Sequence, residues 1–532
     1  MNSIFHTGVL LGVLFLAGRV AGFGLRAADG PVPEADLFRP GAIPSLRIQL
    51  EEPAADSLRQ DPREFVTATV SEGERTYPQV ALHLKGSRGS FRPFNDKPAL
   101  TLDFCRFQTG RKFHGLRRIY LNNSVEDPSY VNEKLGSEFF QSAGLPAPRV
   151  TRALVALNGG APRLYVLIEG FTEDFLGRHF SQITGELYEP GPGRDIDEKL
   201  SRNSVAAPFD RERSALKNLA AAVRKSDPAQ RWQALTAALD TRRFFGFMAA
   251  EVMLGHRDGY CINRNNYRVY HDLDSGRIVF FPHGMDQLLG TAELPWQPNW
   301  SGLVAQAVMS TPEGQQGYAA TFGGMLTNQF KVKELTNRVD ELLQELRPVL
   351  GRDDFAGVEA ASALVKERLE QRKSSLVAQW SRPPLKLLEF SAGGAHPETW
   401  EIGERPAEGM IDQANCDGLT ALHISALAGS LASWRTTVLL PPGRYRFTDR
   451  VRLAGVEPLP LGEHSGVELR VGGRAGAHAM LTGDSGWRDL SADFEVRPPM
   501  EKVELICELR ARAGEVWFDL AALRVLQTDK KL

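Results

Sequence analysis

The sequence predicts an α+β domain followed by an all-β sandwich. Between residues 45 and 169, segments of alternating polarity recur, with one amphipathic helix among them. From residue 211 to 379 the pattern is helical, broken by a single hairpin. After Pro383-Pro384, short alternating strands separated by Gly and Pro turns run to the C-terminus.

The N-terminus reads as an export signal. Val9 to Ala17 is an apolar run, and Leu25-Arg26-Ala27 offers a small-residue cleavage site, so residues 1–27 form the expected signal peptide. The run is too short to span a bilayer, so no integral membrane segment is expected after cleavage. The expected location is secreted, periplasmic or cell-surface. Residues 28–43 are Pro-rich and polar and read as a linker, ahead of a first domain at 44–382.

Within that domain, Ser45–Glu51, Phe65–Val70, Val80–Leu84 and Ala99–Phe104 alternate as strands should. The loop Lys85 to Pro93 (KGSRGSFRP) is rich in Gly and Ser, a composition that lets backbone N–H groups approach phosphate oxygens. Lys97 stands just beyond it, at the start of the fourth strand. Asp127 caps a helix from Pro128 to Ser142, with Val131, Leu135 and Phe139 on its apolar face. Glu133 and Glu138 on that helix are the acids within reach of a strand lysine. Strands Arg152–Leu157 and Leu164–Glu169 flank an Asn158-Gly159-Gly160 turn. Helices are then expected over 211–224, 228–239 and 241–254, the last two capped by Asp227 and Asp240. Two long helices close the domain, over 331–350 and 353–379.

Between these sets of helices lies the stretch that carries chemistry. His256-Arg257-Asp258 is followed five residues later by Asn263, then by strands Tyr267–His271 and Arg277–Phe281, then by Asp286. The spacing suits phosphoryl transfer. Asp258 would orient and deprotonate an attacking hydroxyl, while Asn263 and Asp286 would hold a divalent cation against nucleotide phosphates. A sheet first, helices later and this stretch between them is the order of a protein kinase.

Composition narrows the alternatives. The 532-residue chain is 42% hydrophobic and 24% charged with a formal net charge of −2, which describes globular domains. No basic run with interleaved aromatics appears, which disfavours nucleic acid as a partner. Cys105, Cys261, Cys416 and Cys507 match no zinc spacing; Cys416 and Cys507 lie in the same C-terminal region and could pair in an oxidising compartment, and buried free thiols are the other reading.

Over residues 40 to 380 the chain resembles the spore-coat-H (CotH) kinase family, secreted and surface proteins with an atypical, two-lobed, kinase-like fold. The blocks that carry the resemblance include LKGSRGSFRP (84–93), LNNSVEDPSY (121–130), RNNYRVY (264–270) and PHGMDQ (282–287). The resemblance implies that Asp258 is the catalytic aspartate and Asp286 a metal ligand, with Asn263 beside it. It implies a phosphate-contacting lysine at Lys97, with Lys85 as the alternative, and Arg88 in the same loop on the nucleotide side. ATP with Mg²⁺ or Mn²⁺ would be the cofactors, and Ser or Thr of secreted or cell-surface proteins the acceptors. One position departs. Many members carry Asp-x-Asp where this chain has Gly284-Met285-Asp286, so a catalytically silent scaffold is the alternative.

From Leu387 to the end, strands are expected at 421–425, 434–440, 444–449, 466–471, 492–496, 503–509 and 516–518, a sandwich pattern. This region, 387–532, resembles carbohydrate-binding jelly-roll modules, which implies glycan as a second partner, with Trp434, Trp487 and Trp517 as the stacking candidates.

Overall fold

The computed structural model describes residues 36–528 except 88, 199–200, 204–212, 383–384, 386, 460–464, 474–479 and 497–500. The expected signal peptide and Arg88 therefore lie outside the described residues. The chain is a mixed α and β protein in two compact units. The first takes the described residues through Ala220, with Ala237–Gly290 and Thr327–Glu370. The second takes Ala221–Thr236, Thr291–Leu326 and Gln371–Leu532. The Pro383-Pro384 boundary read from sequence falls inside the last of these segments. All eight tryptophans, at 232, 296, 300, 380, 400, 434, 487 and 517, belong to the second unit.

The first unit begins with β1 (Ser45–Gln49), α1 (Glu52–Gln60), β2 (Val66–Glu72), β3 (Arg75–Lys85), β4 (Ala99–Asp103), β5 (Arg118–Asn122), α2 (Asn132–Ser142), β6 (Val150–Leu157) and β7 (Arg163–Glu169). The strands form a closed barrel in the order β1-β2-β3-β4-β5-β7-β6. Closure comes from β6 lying parallel to β1, Leu46 opposite Val155, while the other pairs are antiparallel neighbours. Leu46 and Ile48, alternate residues of β1, are fully buried with Val70, Leu82, Leu84, Leu100 and Leu102. Period-two patterning is what lets one side of each strand fill such a barrel.

The chain continues with α3 (Glu173–His179), β8 (Leu187–Glu189), β9 (Ser201–Asn203), α4 (Ser214–Val223), α5 (Pro228–Ala238), α6 (Thr241–Met253), α7 (Tyr260–Asn263), β10 (Tyr267–Asp272) and β11 (Arg277–Pro282). A second sheet runs β11-β10-β8-β9. Asp240 caps α6 as expected, its carboxylate accepting from the Arg243 N–H at 3.0 Å. Asp127 also caps, but later than expected: its Oδ2 accepts from the Asn132 N–H at 2.9 Å, so α2 starts at Asn132 and residues 128–131 form the turn before it.

The remaining helices are α8 (Leu303–Met309), α9 (Pro312–Asn328), α10 (Val332–Leu346) and α11 (Arg352–Trp380). The second unit ends in β12 (Glu401–Ile402), β13 (Gly409–Cys416), β14 (Leu419–Ala426), β15 (Ser430–Leu440), β16 (Gly443–Pro458), β17 (Gly466–Val471), β18 (Gly483–Val496), β19 (Glu501–Asp519) and β20 (Arg524–Gln527). The spatial path is β12-β15-β19-β14-β13, with β16 pairing β18, β19 and β20 and β17 pairing β19. The strands expected at 503–509 and 516–518 are one strand, β19. Gly514 joins them at φ +125°, and a Cβ there would come within 2.5 Å of the Val456 Cα. Trp434, one of the expected stacking residues, is 6% exposed and packs in the core with Leu422, Phe447 and Leu505. All four cysteines are free, so Cys416 and Cys507 do not pair. Among the described residues, no helix is long and apolar enough to cross a membrane.

Candidate active site

The helix α6 delivers the His256-Arg257-Asp258 turn, and a buried carboxylate fixes the path of the chain beyond it. Glu251, fully buried near the end of α6, accepts from the backbone N–H groups of Tyr260 at 2.9 Å and Cys261 at 2.8 Å. These are orphan donors at the start of α7, so Glu251 caps that helix from a distance. Burial pushes its carboxyl up to about 7 despite those donors. Gly259 passes so close that a Cβ would lie 2.6 Å from Glu251 Oε1. His256 is fully buried, and its Nε2 hydrogen-bonds the Gly284 carbonyl at 3.1 Å. Burial lowers its proton affinity, so the ring is neutral with Nε2–H donating.

Asp258 sits at the mouth of this turn and accepts three side-chain amides. Asn263 and Asn265 each donate at 2.6 Å, one to each carboxylate oxygen, and Asn266 donates to Oδ2 at 3.0 Å. Left-handed Arg264 (φ 52°) and Asn266 (φ 48°) bend the chain sharply enough to aim successive amides at one acceptor.

The hairpin of β10 and β11 then brings the chain back. Tyr267 pairs with Pro282, so residues 283–287 lie beside the Asn265-Asn266 turn. Asp286 is held by two barrel-side amides: Asn132 Nδ2 donates to its backbone oxygen at 2.9 Å, and Asn122 Nδ2 reaches its Oδ2 at 3.4 Å. Met285 and Leu288 press against Gly136 of α2, where a Cβ would meet Leu288 Cδ1 at 2.8 Å. The missing acid at Gly284 has a steric account. Gly284 is left-handed at φ +57°, and a Cβ there would lie 2.8 Å from Asn266 Cγ. The Asn266 side chain fills the space, donating to both Asp258 and the Gly284 carbonyl, the latter at 3.1 Å.

Lys85, the last residue of β3, enters the same cavity. Its Nζ stands 5.1 Å from the Tyr120 ring centroid, and its neighbours in charge are Glu133, Asp286, Arg268 and Glu189. Burial pushes the Lys85 ammonium down, and Glu133, Asp286 and Glu189 oppose that shift while Arg268 adds to it. Glu133 of α2 is 1% exposed, and neither of its oxygens makes a full hydrogen bond. Burial and then Asp286 push its carboxyl up. Lys85 on a strand, Glu133 on a helix and Asp286 on the loop after β11 thus interact electrostatically. Lys97 is elsewhere. Its ammonium donates to the Tyr130 hydroxyl at 2.6 Å and lies over the Tyr130 and Tyr165 rings, away from the cavity lining. It precedes β4, whereas Lys85 ends β3, and that places them on opposite sides of the loop between. Glu138 pairs with Arg338 at 2.8 Å and so does not serve either lysine.

The cavity has a volume of about 490 Å³. Lys85, Arg118, Arg268 and Arg63 give it cationic walls, and Asp258, Asp286, Glu126 and Glu189 its acids. Arg268 is buried, bonded to Glu189 Oε1 at 2.6 Å and stacked over Phe171. A second cavity of about 690 Å³ adjoins it, sharing Asp258, Asn265, Ser87, Pro192 and Gln287 and adding Arg257, Ile262 and Asn263. Asp258 lines both; Asp286 and Lys85 line only the first. Asn263 thus meets Asp258 rather than Asp286. Among the described residues, no three His, Cys, Asp or Glu side chains are grouped as a metal site.

Sequence reasoning missed Asn122, Asn132, Asn266 and Arg268. The first two sit in LNNSVEDPSYVN and the others in RNNYR, blocks that contribute amides and a buried cation rather than a recognisable catalytic triplet.

Fold and site together define a mixed α and β protein with a lysine, a buried glutamate and two aspartates gathered around one polar cavity. The chain belongs to the CotH family, described as CotH kinase protein, whose profile matches residues 85–390. It is 20% identical over 268 residues to the inner spore coat protein H of Bacillus subtilis, covering 47% of this chain and 73% of that protein. It is likewise 20% identical over 277 residues to an inner spore coat protein H-like protein of the same organism, covering 50% and 82%. Among solved structures, the Helicobacter pylori proinflammatory kinase CtkA aligns at TM-score 0.28 and 11% identity, over 56% of this chain and 92% of that one. TmCBM61 in complex with beta-1,4-galactotriose aligns at TM-score 0.19 and 18% identity, over 28% of this chain and 99% of that one.

Proposed function

We propose that this chain is an exported, two-lobed atypical protein kinase that transfers the γ-phosphoryl group of ATP to a Ser or Thr hydroxyl of secreted or cell-surface proteins. The observation that carries the reading is that Asp258 lines both cavities while Lys85 and Asp286 line only the first. A donor and an acceptor can then meet at one carboxylate.

The residues fit a nucleotide with its divalent cation. Among the described residues, the only hydrogen bond on the Asp286 carboxylate is the long one from Asn122, so its oxygens are open to Mg²⁺ or Mn²⁺. Such ions are held through one or two carboxylates plus phosphate oxygens, so no three-carboxylate cage is needed. When bound, the nucleotide and its cation supply the transferable phosphoryl group and neutralise charge on it. Lys85, Arg118 and Arg268 would face the polyphosphate, with Glu133 holding Lys85 in place. Asp258, fixed by its three amides, orients the acceptor hydroxyl and takes its proton.

Incubating the purified protein with γ-labelled ATP and Mn²⁺ should label protein, and Asp286→Ala should abolish the label. Wild-type labelling no higher than that of a folded Asp286→Ala control would overturn the reading. One observation favours the alternative, a nucleotide-binding scaffold without turnover: Asn266 occupies the space where a second acid would stand. The C-terminal region we read as a jelly-roll that contacts glycan through Trp487 and Trp517. Arg452 lies over Trp517 and pairs with Asp417 at 3.4 Å, and Asp417 accepts from Trp487 Nε1 at 3.1 Å. Glycan binding that survives Trp487→Ala with Trp517→Ala would remove that site.

A further inference from the structure

Among the described residues, the second cavity carries two charged side chains, Asp258 and Arg257. They are consecutive, so their side chains emerge from points about 3.8 Å apart along the chain. The Asp258 carboxylate accepts three amide donors and pairs with no cation among the described residues. Arg257 is left exposed at the cavity wall, and its guanidinium forms no hydrogen bond or ion pair among the described residues. The rest of its described lining is neutral: Ser87, Gln287, Asn263 and Asn265 are uncharged polar groups, and Pro192 and Ile262 are apolar. An unpaired guanidinium at the edge of a groove whose other described lining, Asp258 apart, is uncharged presents a fork of donors to a carboxylate or phosphate. Among the described residues, Arg63, Lys85, Arg118 and Arg268 line the first cavity and Arg257 does not.

We infer that Arg257 selects acceptors in which the phosphorylated hydroxyl has an anionic side chain, carboxylate or phosphate, within one or two residues of it. The inference rests on the kinase reading and names the substrate class for the same site. An extended peptide entering the groove would set its hydroxyl at Asp258 and its anion at the neighbouring arginine. Charge-assisted pairing of this kind both adds affinity and fixes register.

The test uses the full chain with ATP and Mn²⁺ and a set of serine peptides. These place Glu, phosphoserine, Gln or Lys at each position within two residues of the acceptor. At one or more positions, the Glu or the phosphoserine peptide should exceed the Gln peptide in kcat/KM by about tenfold, carried mainly by KM, as a charge-assisted pair allows. The Glu and phosphoserine arms report which anion is preferred. In Arg257→Gln the ratio of anionic to neutral peptide should fall to about one, and Arg257→Glu should reverse it in favour of Lys. Equal kcat/KM for all wild-type peptides would overturn the inference and leave the kinase reading standing. So would a preference that persists in Arg257→Gln. Absence of transfer to any peptide, together with absence of nucleotide hydrolysis, would overturn both.

Discussion

Replacing Gly284 by alanine tests whether the missing acid is excluded by the fold or merely absent. Two costs add. A residue with a Cβ held in the left-handed region loses roughly 1–2 kcal/mol. The new Cβ also meets Asn266 at 2.8 Å and must displace it, breaking its bonds to Asp258 Oδ2 and to the Gly284 carbonyl. Each such bond contributes about 1 kcal/mol net, so the total for Gly284→Ala is about 3–4 kcal/mol. In an Asn266→Ala background the second cost vanishes, and the same substitution should cost only about 1–2 kcal/mol. The difference, about 2 kcal/mol, is the coupling a double-mutant cycle reads. Urea denaturation monitored by far-ultraviolet circular dichroism measures it. Tryptophan fluorescence gives an internal control, because every tryptophan lies in the second unit and its transition should stay in place. Equal costs in the two backgrounds would show that Asn266 does not fill the position, and the steric account of Gly284 would fail.

The other predictions rest on the same geometry. Asp258→Asn should lower kcat by about 10²–10⁴-fold while nucleotide affinity stays within a few-fold, because a positioned base acts mainly in the transition state; wild-type turnover in titrated single-turnover assays would sink the assignment. Lys85→Met should weaken Mg-ATP binding in calorimetry by at least tenfold, whereas Lys97→Met should not; the reverse ranking would return the phosphate contact to Lys97. Glu251, raised in the folded state to about 7 from an ordinary 4.5, binds more protons folded than unfolded between those values. Its contribution is therefore full below about pH 4.5 and declines by about 3 kcal/mol as pH rises to about 7. Glu251→Gln should flatten that decline in the circular-dichroism transition, and an unchanged pH slope would contradict it.

Much of the barrel was legible because its strands obey period two. Leu46 and Ile48 of β1, and Val66, Ala68 and Val70 of β2, alternate inward with exposed or half-buried neighbours, and both strands were read within two residues. β5 was missed although Ile119 and Leu121 are buried, since Arg118–Asn122 is short and four of its five residues are buried, which erases the alternation. α8 and α9 were missed because a loop rich in Trp and Pro precedes them and glycines interrupt α9. Asp258 and Asp286 were legible as a spaced pair of acids before and after a hairpin. The choice between Lys85 and Lys97 was not. It depends on which end of a loop faces the cavity, and local pattern does not encode that. The role of Asn266 was equally hidden, because it exists only where the hairpin closes against Gly284.

The interleaving of the two units has a consequence in time rather than in space. Synthesis runs from the N-terminus, and domains ordinarily fold as they emerge. Here the first unit cannot be completed at Gly290, because α10 arrives only after Thr291–Leu326 of the second unit has been made. Until then Arg152, fully buried in the finished structure, lacks both Glu345 and the Leu342 carbonyl that its Nη2 contacts at 3.1 Å. The Leu342 and Leu346 face of that helix is missing as well. A nascent chain therefore holds the His256-Arg257-Asp258 turn and its cavity lining before it holds the helix that seals the barrel's flank. Ribosome-bound chains ending before Val332 should remain protease-sensitive around β6, and protection should appear abruptly once Leu346 has emerged.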